Sequence, residues 1–249
     1  MTRIFLLAAA SLLFAAQASA QSTSGTLLVV PATGEVVRAN DLATLTFGVE
    51  EQDADKARAA SRANQKMKEG LAILRAADPH ASLKSQGYTT YPVYAEQARP
   101  LASGSTGPKP TIVGWRVGQT VQMKTTDLAS LPKTAAAAQS VLALRQVGFG
   151  LTPATLKKAD EERIATTYAN LRERIAFTAA AMGRSPADAV LDTVDLEGTG
   201  GQFVQVTGSS SQMNYARAAA PAQVEVAEPS FEPGETTLQM KVVGKVRFK

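Results

Sequence analysis

The chain has 249 residues, no cysteine, one histidine and a formal net charge of +4. The lack of cysteine excludes a disulfide framework, thiolate metal sites, thiol redox chemistry and the thiol attachment a bacterial lipoprotein needs. The charge excess is mild and spread along the chain. A nucleic-acid reader concentrates its basic residues, so no nucleic-acid partner is expected.

Residues 1–20 read as a secretory signal. Arg3 gives a short positive start, Ile4 to Ala16 is apolar but for Ser11, and Ala18-Ser19-Ala20 offers small residues for cleavage before Gln21. The apolar run is short for a stable anchor, and no later stretch suits a transmembrane helix. The single Arg indicates no twin-arginine route. The expectation is export to the periplasm, with residues 21–249 forming one domain that rests on its own core.

Gln21–Gly25 is a polar leader. Leu27–Val30 and Glu35–Arg38 read as extended pieces separated by a turn at Thr33-Gly34, with Asn40-Asp41 ending the second. Leu45, Phe47 and Val49 then alternate with Thr44, Thr46, Gly48 and Glu50, the mark of a half-buried antiparallel strand. Asp53 or Asp55 caps a first helix whose stripe is Ala57, Ala60, Asn64, Met67, Leu71 and Leu74, ended by Asp78-Pro79. Leu83–Tyr94 is extended and rich in Thr and Tyr. Ala95–Pro110 is a long hairpin loop. In the next strand, 111–124, Val113, Trp115, Val117, Val121 and Met123 share a face.

A second helix starts near Asp127, with Leu128, Leu131, Ala135 and Ala138 inward and Pro132 in its first turn. Val147–Leu151 is a short strand. The longest helix spans 153–183. Thr152 is its N-cap, Pro153 sits just inside, and Gly183 stops it. Ile164, Tyr168, Leu171, Ile175, Thr178 and Met182 recur at alternating fours and threes, which predicts one buried face. Ala189–Leu196 is extended. A short segment at Gln202–Val206 lies between the loops Gly198–Gly201 and Gly208–Ser211, and Pro221–Pro233 is irregular. A last strand runs Glu235–Phe248, with Leu238, Met240, Val242, Val246 and Phe248 inward. About eight strands and three helices in this order give an α+β fold: a mostly antiparallel sheet with the helices on one face.

Few residues are arranged for chemistry. His80 follows Asp78-Pro79 in a loop without the partner ligands a metal would need. Ser130-Leu131-Pro132-Lys133 matches the S-x-x-K spacing in which a Lys takes a Ser proton, but the companion motifs of serine acyl enzymes do not follow. Gly198, Gly200 and Gly201 do not open a helix, as a phosphate cradle would. Asp160-Glu161-Glu162-Arg163 reads as a solvated face laced with ion pairs. No catalytic, cofactor or metal residue is assigned.

Two features point to contact surfaces. The long helix carries a stripe of small residues, Ala165, Ala169, Ala176 and Ala180, which lets another backbone come close. Phe177 sits away from the Ile164–Met182 stripe, among Asn170, Glu173 and Arg174, where an aromatic either meets a partner or is a stray exposed apolar residue. The basic row Lys241, Lys245 and Arg247 could face anionic lipid or an acidic partner, but reads better as a solvated sheet face.

Several segments together resemble the SIMPL domain family of exported bacterial proteins, which includes periplasmic immunogenic ones. They are Thr33-Gly34-Glu35-Val36, Asn40-Asp41 before Ala43-Thr44-Leu45, Gly48-Val49-Glu50, Asn64, Gly87-Tyr88 through Pro92-Val93-Tyr94, Val113-Gly114-Trp115-Arg116, the alanine-rich helix ending at Gly183, and Pro233-Gly234-Glu235. Asn40 stands where the family usually has Pro, and Trp115 where it has Tyr, a conservative exchange for a turn and a buried ring. The resemblance implies no established enzymatic activity and supplies no site residues. It implies a link to oxidative-stress tolerance and envelope integrity, some association with the outer membrane, and similarity to large hollow ring-like homo-oligomers. The first expectation is therefore a non-enzymatic periplasmic protein acting by homo-oligomeric assembly or by binding envelope proteins. The second is a binding module for a small ligand or lipid between helices and sheet. A hydrolase using a Ser/Lys or carboxylate pair is the third.

Overall fold

The computed structural model describes residues 26–95, 111–196, 204–205 and 227–248. The signal 1–20, the leader 21–25, most of the loop 95–110, Gly198–Gly201 and Gly208–Ser211 lie outside the described residues. In chain order the elements are β1 (Leu27–Ala39), β2 (Leu42–Asp53), α1 (Lys56–Ala77), β3 (Ser82–Tyr94), β4 (Ile112–Thr125), α2 (Leu131–Gln139), β5 (Ala143–Gly150), α3 (Pro153–Ala181), β6 (Ala189–Asp195), β7 (Val204–Gln205) and β8 (Glu235–Phe248). The fold is α+β, but the strands form two antiparallel sheets rather than one. One has the order β1-β8-β6 with β7 also on β8; the other has the order β3-β4-β2-β5.

The chain divides into two compact units. The smaller comprises Met1–Gly34, Ile164–Gln202 and Met240–Lys249; the larger comprises Glu35–Arg163 and Phe203–Gln239. By these bounds β1, α3 and β8 each contribute residues to both.

In the larger unit the alternation of β2 places Leu45, Phe47 and Val49 in the core, opposite Met123, Val121 and Gln119 of β4. Helices α1 and α2 cover this face through Ala59, Ala63, Met67, Leu74, Leu131, Ala135 and Ala138. Asp55 caps α1 by accepting the Arg58 N–H. The buried stripe of α1 differs from the expected one: Ala57 and Asn64 are exposed, while Ala59, Ala63 and Gly70 are buried. With alanines at 57, 59, 60 and 63, hydropathy cannot choose a face. Close packing chooses it, because a Cβ on Gly70 would lie 2.4 Å from the Leu142 side chain. Helix α2 begins at Leu131, not near Asp127, and Asp127 instead accepts the Ser130 N–H at 3.1 Å. Strand β5 starts four residues before the expected Val147.

A polar clamp closes this unit. Asn40 is buried, donates from Nδ2 to the Pro233 carbonyl at 2.7 Å and accepts the Thr236 hydroxyl, while its own N–H meets the Gly234 carbonyl at 3.0 Å. Asn40 is thus more than a turn residue: it ties the end of β1 to the start of β8. Next to it Asp41 caps α3. Its carboxylate accepts the Thr152 N–H at 2.6 Å and the Thr152 and Thr155 hydroxyls.

In the smaller unit, Leu171, Ile175 and Ala179 of α3 pack on Val30 and Ala32 of β1 and on Val242, Val246 and Phe248 of β8. The expected break at Thr33-Gly34 is absent, and β1 runs unbroken through it. Gly34 is required for space rather than for a turn: a Cβ there would lie 2.2 Å from Thr167 Oγ1 and 2.7 Å from the Thr167 N atom. The α3 helix ends as expected. Gly183 has φ +69, its N–H bonds to the Ala180 carbonyl and the Arg184 N–H to the Ala179 carbonyl, so the left-handed residue closes two free carbonyls.

The expected face of α3 is only partly buried. Leu171 and Ile175 are covered, but Ile164, Tyr168 and Met182 are exposed. Ala159, Thr167, Leu171, Ile175 and Ala179 are the buried residues, and they follow steps of four or eight. Each step of four overshoots the helical repeat by about 40°. The contact line therefore winds around the helix instead of staying on one side.

Candidate functional site

On α3, Ala165, Ala169 and Ala180 are exposed and Ala176 is half-buried. Phe177 is 69% exposed, the most exposed large apolar side chain among the described residues. Two of its expected neighbours do specific work: Asn170 donates to the Thr33 carbonyl and Arg174 to the Pro31 carbonyl, both at 2.8 Å. These side chains occupy backbone acceptors of β1, while Phe177, Ala165, Ala169 and Ala180 remain accessible.

The chemical candidates are not assembled into a reaction centre. The Ser130 hydroxyl and N–H together hold the Asp127 carboxyl below its ordinary range. Lys133 is exposed. His80 is exposed in a turn, its N–H bonded to Asp78 Oδ1, while the other Asp78 oxygen accepts the buried Thr125 hydroxyl. Asp160 pairs with Arg163, Glu162 with Arg38, and Lys157 with Glu161 at 4.0 Å, as expected of a solvated face. Among the described residues, no three His, Asp or Glu side chains group as metal ligands. In the basic row, Arg247 pairs with Asp192 at 3.3 Å.

Two clusters were not evident from the sequence. The first is ionic. Asp53 and Glu51 at the end of β2 meet Arg58, Arg62 and Lys66 from successive turns of α1. The Asp55 N–H holds the Asp53 carboxyl low against a smaller opposing effect of burial, and Arg58 and Arg62 lower it further. The i, i+4 spacing of Arg58, Arg62 and Lys66 was the available signal. Trp115, expected as a buried ring, is half-buried, with the Lys56 ammonium 5.1 Å from its centre.

The second cluster is the edge strand β3. Ten of its thirteen residues are exposed, among them Tyr88, Tyr91 and Tyr94. Beside it, Ile112 and Val113 of β4 are exposed as well. The Thr and Tyr content marked a strand. Its place at a sheet edge depends on the pairing order, which the local sequence does not carry.

No helix among the described residues is long and apolar enough to cross a membrane. The family described as SIMPL, protein of unknown function (DUF541), matches residues 28–246. Among curated proteins none matches the chain.

Proposed function

The chain belongs to the SIMPL family, and from that premise we propose that it is an exported, non-catalytic protein of the bacterial envelope that works by contact with other protein. The contact is assembly with copies of itself or binding of envelope partners, in the service of oxidative-stress tolerance. The observation that carries this reading is the α3 surface: Phe177 is 69% exposed beside a stripe of small residues, Ala165, Ala169, Ala176 and Ala180. An exposed aromatic costs apolar surface until it is covered, and covering it contributes roughly 1.5–3 kcal/mol. A lane of alanines lets a second backbone reach it.

Export is supported by the Arg3 start, the apolar run and Ala18-Ser19-Ala20. A ligand cavity between helices and sheet is the less favoured reading, because in the larger unit that layer is filled by side chains from α1, α2, β2 and β4. The test is Phe177→Asp. Light scattering should give a multimeric wild type and a variant of lower mass, with an unchanged circular dichroism spectrum. A monomeric wild type, or a variant of unchanged mass, rejects α3 as the assembling surface. Fractionation of cells expressing the chain tests export: mature protein retained in the cytoplasm would reject it.

A further inference from the structure

A strand edge exposes a row of N–H and C=O groups, and proteins shield such rows with charges, proline, bulges, shortness or a covering element. The outer strands β1, β5 and β6 are shielded in this way. The carbonyls of Pro31 and Thr33 in β1 are taken by Arg174 and Asn170. Strand β5 has eight residues and an irregular register at Arg145. Strand β6 has seven, with a register shift at Asp192 and two Asp residues. Strand β3 differs. Its register shifts at Gln86 and Pro92 interrupts it further on, but between them lies an uninterrupted, uncharged run, Gly87-Tyr88-Thr89-Thr90-Tyr91. Among the described residues, β4 is its only pairing partner.

We infer that this run is a self-pairing seam, at which β3 of a second copy of the chain pairs antiparallel with it about a two-fold axis through Thr89. The inference rests on the assembly reading above and names a second surface for it. The run is symmetric about Thr89, with two residues to the bulge on one side and two to the proline on the other. An axis there sets Tyr88 opposite Thr90, an aromatic against a β-branched residue, a favourable cross-strand pair. It also sets each Tyr91 opposite the other copy's Gly87. Gly87 leaves room for that ring: a Cβ there would have only Thr120 Oγ1 within 4 Å, at 3.4 Å. Tyrosine over an edge glycine is a known stabilising pair. No like charges face each other across the seam. Lys84 is the only charge on β3, and the axis separates its two copies by about ten residues, roughly 33 Å. The contact uses the same patch on both copies, as a closed two-fold interface must.

The absence of native cysteine gives a direct test. Thr89→Cys should form a disulfide-linked dimer on mild oxidation, and Lys84→Cys should not. Thr89→Lys places like charges on the axis and should lower the mass by at least half, with an unchanged circular dichroism spectrum. An equimolar mixture of Thr89→Lys and Thr89→Asp should restore it. If Thr89→Cys links no more than Lys84→Cys, or the mixture behaves as Thr89→Lys alone, the seam is wrong. The two assembly surfaces fail separately. Phe177→Asp without effect, with Thr89→Cys still linking, rejects α3 and leaves the seam; the reverse pattern rejects the seam alone.

Discussion

The two units use the same materials, a sheet and a covering helix, with different economy. The larger unit gathers a cluster of sixteen buried apolar residues, from Ala43 to Leu144, beneath two helices. The smaller gathers eight, beneath one. Its helix also leaves Ile164, Tyr168, Phe177 and Met182 in solvent. The larger unit exposes Tyr88, Tyr91, Tyr94, Ile112 and Val113 at one sheet edge, whereas the smaller exposes apolar side chains along its covering helix. Exposed apolar surface favours association, which is why these two surfaces carry the assembly proposals.

This contrast can be broken most directly by equal truncations on each side. Leu45 and Leu171 are both fully buried. Leu45→Ala should cost about 4–5 kcal/mol, since Phe47, Val121 and Met123 around it belong to a rigid layer that cannot collapse into the void. Leu171→Ala should cost about 2–3 kcal/mol, because the smaller cluster relaxes more easily. Urea unfolding measures both, and a larger loss at Leu171 would reverse the comparison.

A smaller effect sharpens the smaller unit's dependence on close contact. Gly34→Ala should cost about 1–3 kcal/mol, since the atoms it would strike include the Thr167 backbone. Gly148→Ala, where a Cβ would meet nothing within 4 Å, should stay within about 0.5 kcal/mol. Equal midpoints for the two variants would show that helix and strand separate freely at Gly34.

The smallest effect belongs to the larger unit's cap on α3. Burial pushes the Asp41 carboxyl up, but the Thr155 hydroxyl, the Thr152 N–H and the Thr152 hydroxyl together bring it below its ordinary value of 3.8. A carboxyl lowered by folding contributes stability above its unfolded pKa and loses it as pH falls through the folded one. Asp41→Ala should therefore cost about 1 kcal/mol at neutral pH, given its solvent exposure. The gap to wild type should narrow only below pH about 4. A constant gap from neutral pH down to pH 2 would show that the charge plays no part in the cap.

The sequence was most legible where a side chain answers to its own neighbours. Thr152, Pro153 and Gly183 marked both ends of α3 because capping is settled within one turn. The alternation at Leu45, Phe47 and Val49 marked β2 because period two admits one inward face. Phe177 stood out because it lies off the main apolar stripe of its helix. The misread positions share another cause. Gly34 resembled a turn and serves instead as space for Thr167. Ala59 and Ala63 displaced Ala57 and Asn64 because alanine is ambiguous until something packs on it. Asn40 found its partners Pro233 and Thr236 almost two hundred residues away.

By itself the amino-acid sequence determined most of the elements, the caps of α3 and the α+β class, which follow from periodicity and short-range hydrogen bonding, while its series of short motifs carried the family likeness. Only the tertiary structure decided that there are two sheets, which strand is left as an unshielded edge, and how the buried line winds along α3. Those are properties of pairing order and of twist, and they arise from residues far apart in the chain meeting in space.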